Sequence, residues 1–164
     1  GASFVTQLPV VAPPKTEKAL QPEVEEEAPG RARILVVDDE LPVQELLCSV
    51  LEAEGHEVHL AGNGEAALSC LGSYEYDLIL SDIKMPELDG EELLAQIHLR
   101  WPHLARTVIL TTGDVVTEKT RAFLERDGLP YITKPFDINR LRQAVRTALI
   151  RSAGGAGSTR NRSD

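Results

Sequence analysis

Carboxylates gather where short β-branched runs of this chain stop. Asp38, Asp39 and Glu40 follow RILVV at 33–37, and Asp82 follows DLILS at 77–81. Two further runs, TVILTT at 107–112 and PYIT at 130–133, end in Thr112-Gly113 and Lys134-Pro135. Acidic groups held together without basic neighbours repel and raise one another's pKa, so a fold that collects them is expected to supply a cation. Donors that are all oxygen suit a hard ion, magnesium first. The plainer reading makes Asp38 and Asp39 a capping pair ahead of a helix at Pro42, because Asp is a favoured N-cap. Capping accounts for one aspartate; it does not account for two together with Asp82.

Lysine belongs most often on the surface. Lys134, with Pro135 behind it in a strand-to-helix turn aimed at the acids, suits a charge that pairs with phosphate. Thr112 fits a strand end by propensity alone. Gly113 beside it leaves a backbone amide open to a ligand.

These residues need elements that bring them to one rim. Between the runs at 33–37, 57–61, 77–81, 107–112 and 130–133 lie helical patterns, so five strands alternate with helices. The stretches 34–37, 78–80 and 108–110 are continuously apolar, as in parallel strands covered on both faces. The first helix spaces Val43, Leu46, Leu47, Val50 and Leu51 along one stripe, with Pro42 at its opening and Gly55 just past its end. The last repeats the pattern with Ile138, Leu141, Val145 and Ala148. Short βα connections predict a doubly wound α/β domain whose ligands collect at the carboxyl ends of the strands.

Composition sets bounds around that picture. The chain has 164 residues, enough for one domain and its tails. Lys and Arg number 17 against 26 Asp and Glu, a net charge of −9, which argues against direct nucleic-acid binding. Cys48 and Cys70 fall inside helical patterns and read as small core residues of a reducing compartment. No apolar run reaches the roughly 20 residues of a membrane span, and no signal peptide opens the sequence. A cytoplasmic fragment without membrane contact is expected, whether or not its parent chain is anchored. Residues 10–30, rich in proline and carrying Glu25-Glu26-Glu27, read as a linker, and residues 152–164 as a disordered tail.

The complete set is specific. Asp38-Asp39, Asp82 followed by Met85-Pro86 and Asp89-Gly90, Thr112-Gly113, and Tyr131 ahead of Lys134-Pro135-Phe136 together resemble the receiver domains of two-component response regulators, over about residues 31–151. The resemblance implies a flavodoxin-like five-stranded parallel sheet in the order 2-1-3-4-5. It implies that Asp82 is the phosphoacceptor and that Mg2+ is bound by Asp39, Asp82 and the backbone carbonyl of Lys84, with Asp38 assisting. Thr112 and Lys134 would contact the phosphoryl oxygens, Thr112 and Tyr131 would switch, and Lys134-Pro135 would be cis. Such a receiver catalyses its own phosphorylation and dephosphorylation. Its partners would be the phosphohistidine domain of a histidine kinase, in cis or in trans, or a histidine phosphotransfer protein.

Residues 1–9, GASFVTQLP, resemble the last strand of histidine-kinase ATP-binding domains, and residues 111–136 resemble receivers at the ends of hybrid sensor kinases. A receiver within a hybrid histidine kinase is therefore the leading expectation, with a stand-alone receiver acting as a protein-binding switch as the alternative. A haloacid-dehalogenase-like phosphatase would want an aspartate where Lys84 stands, two residues after Asp82. A docking module that no longer phosphorylates would be expected to lack one of the acids, Thr112 or Lys134.

Overall fold

The computed structural model describes residues 30–113 and 116–155. The expected kinase-like strand end at 1–9, nearly all of the linker at 10–30 and most of the tail at 152–164 lie outside them. Among the described residues five strands, β1 (Arg33–Val37), β2 (Glu57–Ala61), β3 (Leu78–Asp82), β4 (Val108–Thr112) and β5 (Tyr131–Thr133), alternate with five helices. The helices are α1 (Leu41–Ala53), α2 (Gly64–Ser73), α3 (Gly90–Arg100), α4 (Glu118–Asp127) and α5 (Ile138–Gly155). A 3₁₀ turn, Ala105–Thr107, precedes β4.

All pairings are parallel, and the order is β2-β1-β3-β4-β5, the flavodoxin-like order the motif set implies. The registers Val37↔Ser81, Asp82↔Thr111 and Thr112↔Thr133 align the carboxyl ends of the strands along one edge of the sheet. Side chains alternate across a strand, which explains the unbroken apolar runs. Leu35, Val37, Ile79, Val108 and Leu110 pack with Ala67 and Leu71 of α2, Leu93 and Ile97 of α3, and Phe123 of α4. Ile34, Val36, Leu78, Leu80 and Ile109 pack on the other face with Leu47 and Leu51 of α1 and Leu141 and Val145 of α5.

Three local readings change. Leu46, placed on the buried stripe of α1, is 42% exposed, whereas Gln44 is buried. The Gln44 side-chain amide donates to the carbonyl of Asp38 and to that of Ala61 at 3.3 Å. Carbonyls at the ends of β1 and β2 need donors where the sheet stops, and a polar side chain from α1 supplies them. Cys48 and Cys70 are free and half-buried; Cys70 packs against the core cluster, whereas Cys48 does not belong to it. The third difference is at α5, which runs to Gly155, beyond the expected domain edge at Arg151. Ser152 and Ala153 extend a helix already anchored by Ala148 and Leu149, and propagation is cheap once a helix is nucleated. Among the described residues no helix is long and apolar enough to cross a membrane.

Candidate functional site

Asp38 is the first residue past β1. It is buried, its backbone N–H donates to the Ala61 carbonyl at 3.1 Å, and its Oδ1 accepts from the Glu40 N–H at 2.9 Å. That bond is local, and the N-cap of α1 is Glu40, whose side chain makes no capping bond. The capping reading of Asp38 and Asp39 therefore fails, because neither carboxylate holds the helix start. Asp39 and Glu40 are exposed beside Asp38, and Asp82 is buried at the end of β3. One oxygen from each of these four side chains lies within 4.8 Å of the others.

Lys134 reaches this cluster from the far side of the sheet. Its backbone N–H donates to the Thr112 carbonyl at 2.7 Å, which fixes the residue just beyond β5, and Lys134-Pro135 is cis. Its Nζ donates to Asp38 Oδ2 at 2.9 Å and to Asp82 Oδ2 at 3.2 Å, and lies 3.6 Å from Glu40 Oε1. One ammonium thus faces three carboxylates. Burial raises the Asp82 pKa, with Lys134 opposing and Asp38 adding to the rise. Burial works against the Lys134 ammonium, but its hydrogen bond to Asp38 and the charges of Asp82 and Asp38 outweigh that and leave its pKa raised.

The loop from Asp82 to Gly90 is held at both ends. Ile83 N–H donates to the Thr111 carbonyl at 3.0 Å, and Gly90 N–H donates back to the Ile83 carbonyl at 2.9 Å. Asp89 and Glu92 form a reciprocal capping box at the start of α3, with Glu92 N–H to Asp89 Oδ1 at 2.9 Å and Asp89 N–H to Glu92 Oε2 at 3.2 Å. Gly90 sits so close under β3 that an added Cβ would lie 2.5 Å from the Asp82 carbonyl oxygen. Within the loop, Lys84 N–H points at Asp82 Oδ1 from 3.5 Å, and the Lys84 side chain is exposed. Glu87 has φ 70, an uncommon conformation for a residue with a side chain.

Thr112 is buried, and its hydroxyl donates to the Gly113 carbonyl at 3.4 Å. Tyr131 is 43% exposed on the edge strand β5. Asp38, Asp82, Lys134 and the Lys84 backbone are therefore brought together at one rim, with Asp39 on its solvent side and Thr112 at the end of the neighbouring strand. Tyr131 stands apart, facing solvent.

Sequence reasoning gave no role to two residues of this rim and named a third only as a member of the acidic group. Glu40 contributes a third carboxylate to Lys134, and the unbroken acidic triplet was its signal. Gln44 ties the ends of β1 and β2, and its one sequence sign is a polar residue within a helical stripe. The φ of Glu87 has no sequence signal at all.

The cluster's four carboxylates outnumber the one ammonium that faces three of them, leaving net negative charge, and every offered donor is oxygen, a set that fits a hard divalent cation such as magnesium. The sequence matches the response regulator receiver domain over residues 34–146. It is 38% identical over 118 residues to Regulatory protein AtoC of Escherichia coli, covering 71% of this chain and 25% of that one. It is 34% identical to Sporulation initiation phosphotransferase F of Bacillus subtilis, covering 71% of this chain and 93% of the relative. The fold superposes with a TM-score of 0.63 on the response regulator TrrA of Thermotoga maritima, solved in complex with Mg(2+)-BeF, at 36% identity and covering 71% and 98% of the two chains. Thus the chain spans a quarter of the length of AtoC and nearly all of the sporulation phosphotransferase. Motif, topology and rim agree with these matches: the chain belongs to the receiver domain family of two-component response regulators.

Proposed function

We propose that Asp82 accepts a phosphoryl group from the phosphohistidine of a histidine kinase or phosphotransfer protein, in a magnesium-dependent reaction. The observation that carries this reading is the reach of Lys134 Nζ from β5 to both Asp38 and Asp82. Asp39, Asp82 and the Lys84 carbonyl would hold the ion, with Asp38 assisting. In support, the Lys84 carbonyl accepts no backbone hydrogen bond outside regular elements among the described residues. The bound ion would offset charge on the phosphoryl oxygens.

The residues of this chain do the positioning. An Asp82 carboxylate oxygen attacks phosphorus in line with the donor, a P–O bond forms, and the P–N bond to imidazole breaks. The departing ring nitrogen keeps the bonding pair and takes up a proton. Lys134 turns its ammonium to the equatorial oxygens, and Thr112 offers its hydroxyl from the next strand. The acyl phosphate brings about −1.5 to −2 charge to the rim, which draws Thr112 inward, and Tyr131 turns toward the space left. The Lys84 side chain, exposed two residues after Asp82, would shield that phosphate from water.

The phosphohistidine donor lies in cis if the chain is part of a hybrid kinase, a context that rests on residues 1–9 and 111–136. A stand-alone binding switch is the second reading. It draws support from the match that spans 93% of Sporulation initiation phosphotransferase F. Titration with magnesium and beryllofluoride, followed by amide NMR, tests the site. Saturable shifts at Lys84, Thr112, Tyr131 and Lys134, lost in Asp82→Asn, are expected. A spectrum unchanged at saturating ligand would contradict the reading.

A further inference from the structure

Gly64, the first residue of α2, has no part in the acidic rim, yet it touches the loop that leaves it. An ideal Cβ at this position would lie 2.7 Å from the Leu88 carbonyl oxygen, 2.7 Å from Leu88 Cδ2 and 2.8 Å from Leu88 Cβ. Real Cβ atoms do not approach that closely, so backbone meets backbone here only because residue 64 has no side chain. Gly64 is itself held in place: Asn63 caps α2, its Oδ1 accepting from Ala66 N–H at 2.8 Å, and the Ala67 N–H donates to the Asn63 carbonyl at 3.1 Å.

The contacted loop has little slack. Leu88 lies between Glu87, with φ 70, and Asp89, which is fixed by its capping box. Upstream, Ile83 is tied to Thr111 and to Gly90, and Met85 is buried in the core. A displacement of the Leu88 backbone therefore cannot be absorbed at the α3 end and passes back toward Lys84. We infer that Gly64 is a positioning residue for the cation site. By letting α2 close against Leu88, it sets the path of the loop that carries Lys84, whose backbone N–H points at Asp82 Oδ1 from 3.5 Å. This inference rests on the magnesium-dependent phosphoryl reading above.

Its test is Gly64→Ala, compared with Gly72→Ala in the same helix, where an added Cβ meets nothing within 4 Å. Magnesium affinity by calorimetry should weaken about tenfold or more in Gly64→Ala, the scale on which supporting groups act on metal sites. Amide hydrogen exchange across residues 83–88 should accelerate, and Gly72→Ala should bind magnesium as the parent does. Leu88→Ala added to Gly64→Ala should restore affinity only in part, because the carbonyl oxygen at 2.7 Å remains. Unchanged magnesium affinity with a lowered melting temperature would overturn the inference, since α2 rather than the loop would have given way. Full restoration by Leu88→Ala would also overturn it, because side-chain crowding would then be the whole effect. Acetyl phosphate adduct formation by the parent separates the two readings: if the parent forms none, the phosphoryl reading fails, whatever Gly64→Ala does.

Discussion

Lys134 carries most of the electrostatic burden at the rim. Asp38 and Asp82 are buried, and this ammonium is their only hydrogen-bonded cation among the described residues. Removing one partner of a buried ion pair leaves an uncompensated charge, a loss of about 3–5 kcal/mol where the pair is fully enclosed. Lys134 retains 17% side-chain exposure, so Lys134→Ala should cost nearer about 2 kcal/mol without magnesium, measured by urea denaturation. Saturating magnesium should recover much of that loss, because a ligand bound only by the folded state stabilises it. Equal destabilisation with and without the metal would contradict the assignment of these acids to a cation. Asp39→Ala is the complementary case. Asp39 is exposed and makes no ion pair among the described residues, so stability should change by less than about 0.5 kcal/mol while magnesium affinity falls, both read from one calorimetric series.

At the same scale the sequence was legible wherever a chemical type announced itself. Asp38, Asp82 and Lys134 stand at one rim because each ends or directly follows a strand, and the strands of a parallel sheet point their carboxyl ends to one side. Contacts that depend on small size or on backbone angle were not legible. The approach of Gly90 under Asp82, and the positive φ of Glu87, belong to the three-dimensional path of one loop.

Among the elements, the three central strands were readable because burial on both faces imposes continuous apolar runs, and the structure moves the bounds of the five strands by one residue at most. The stripe of α1 was misjudged at Leu46. A period of 3.6 leaves the rotation of a short helix uncertain by a residue, and Gln44 takes the inward position to satisfy strand-end carbonyls. Two predictions belong to element junctions. Gly90→Ala, at the loop-to-α3 join, should destabilise by about 1–3 kcal/mol, because a Cβ would press on the Asp82 carbonyl and on Ile83 Cα at 2.8 Å. Chemical denaturation beside Gly72→Ala, which should be neutral or stabilising, checks it.

The other junction is α1 to β2. His56 is buried there, and its Nδ1 accepts from the Ala32 N–H at 3.3 Å, which requires the neutral ring. Burial lowers its pKa, while the charges of Glu54 and Asp77 oppose the shift. The folded state therefore binds this proton less readily than the unfolded chain. Its contribution to stability is fully present above about pH 6.5 and is lost as pH falls from there through the lower folded-state pKa, by no more than about 1.4 kcal/mol per pH unit. His56→Gln should be less stable than the parent at pH 7, yet lose less between pH 7 and pH 5. Parallel losses in urea titrations at the two pH values would exclude the histidine as the cause.

For the whole molecule, the fold matters because it turns sequence-distant groups into one cluster. Asp38 and Lys134 are 96 positions apart and share a hydrogen bond because β1 and β5 end on the same rim. The central claim is that these groups suffice for phosphoryl uptake, since the donor supplies only a good leaving group. Intact-mass spectrometry of the chain incubated with acetyl phosphate and magnesium, with no kinase present, tests it most directly. A single phosphate adduct is expected, absent in Asp82→Asn and abolished by a chelator. An adduct of undiminished yield in Asp82→Asn, or no adduct in the parent chain, would contradict it.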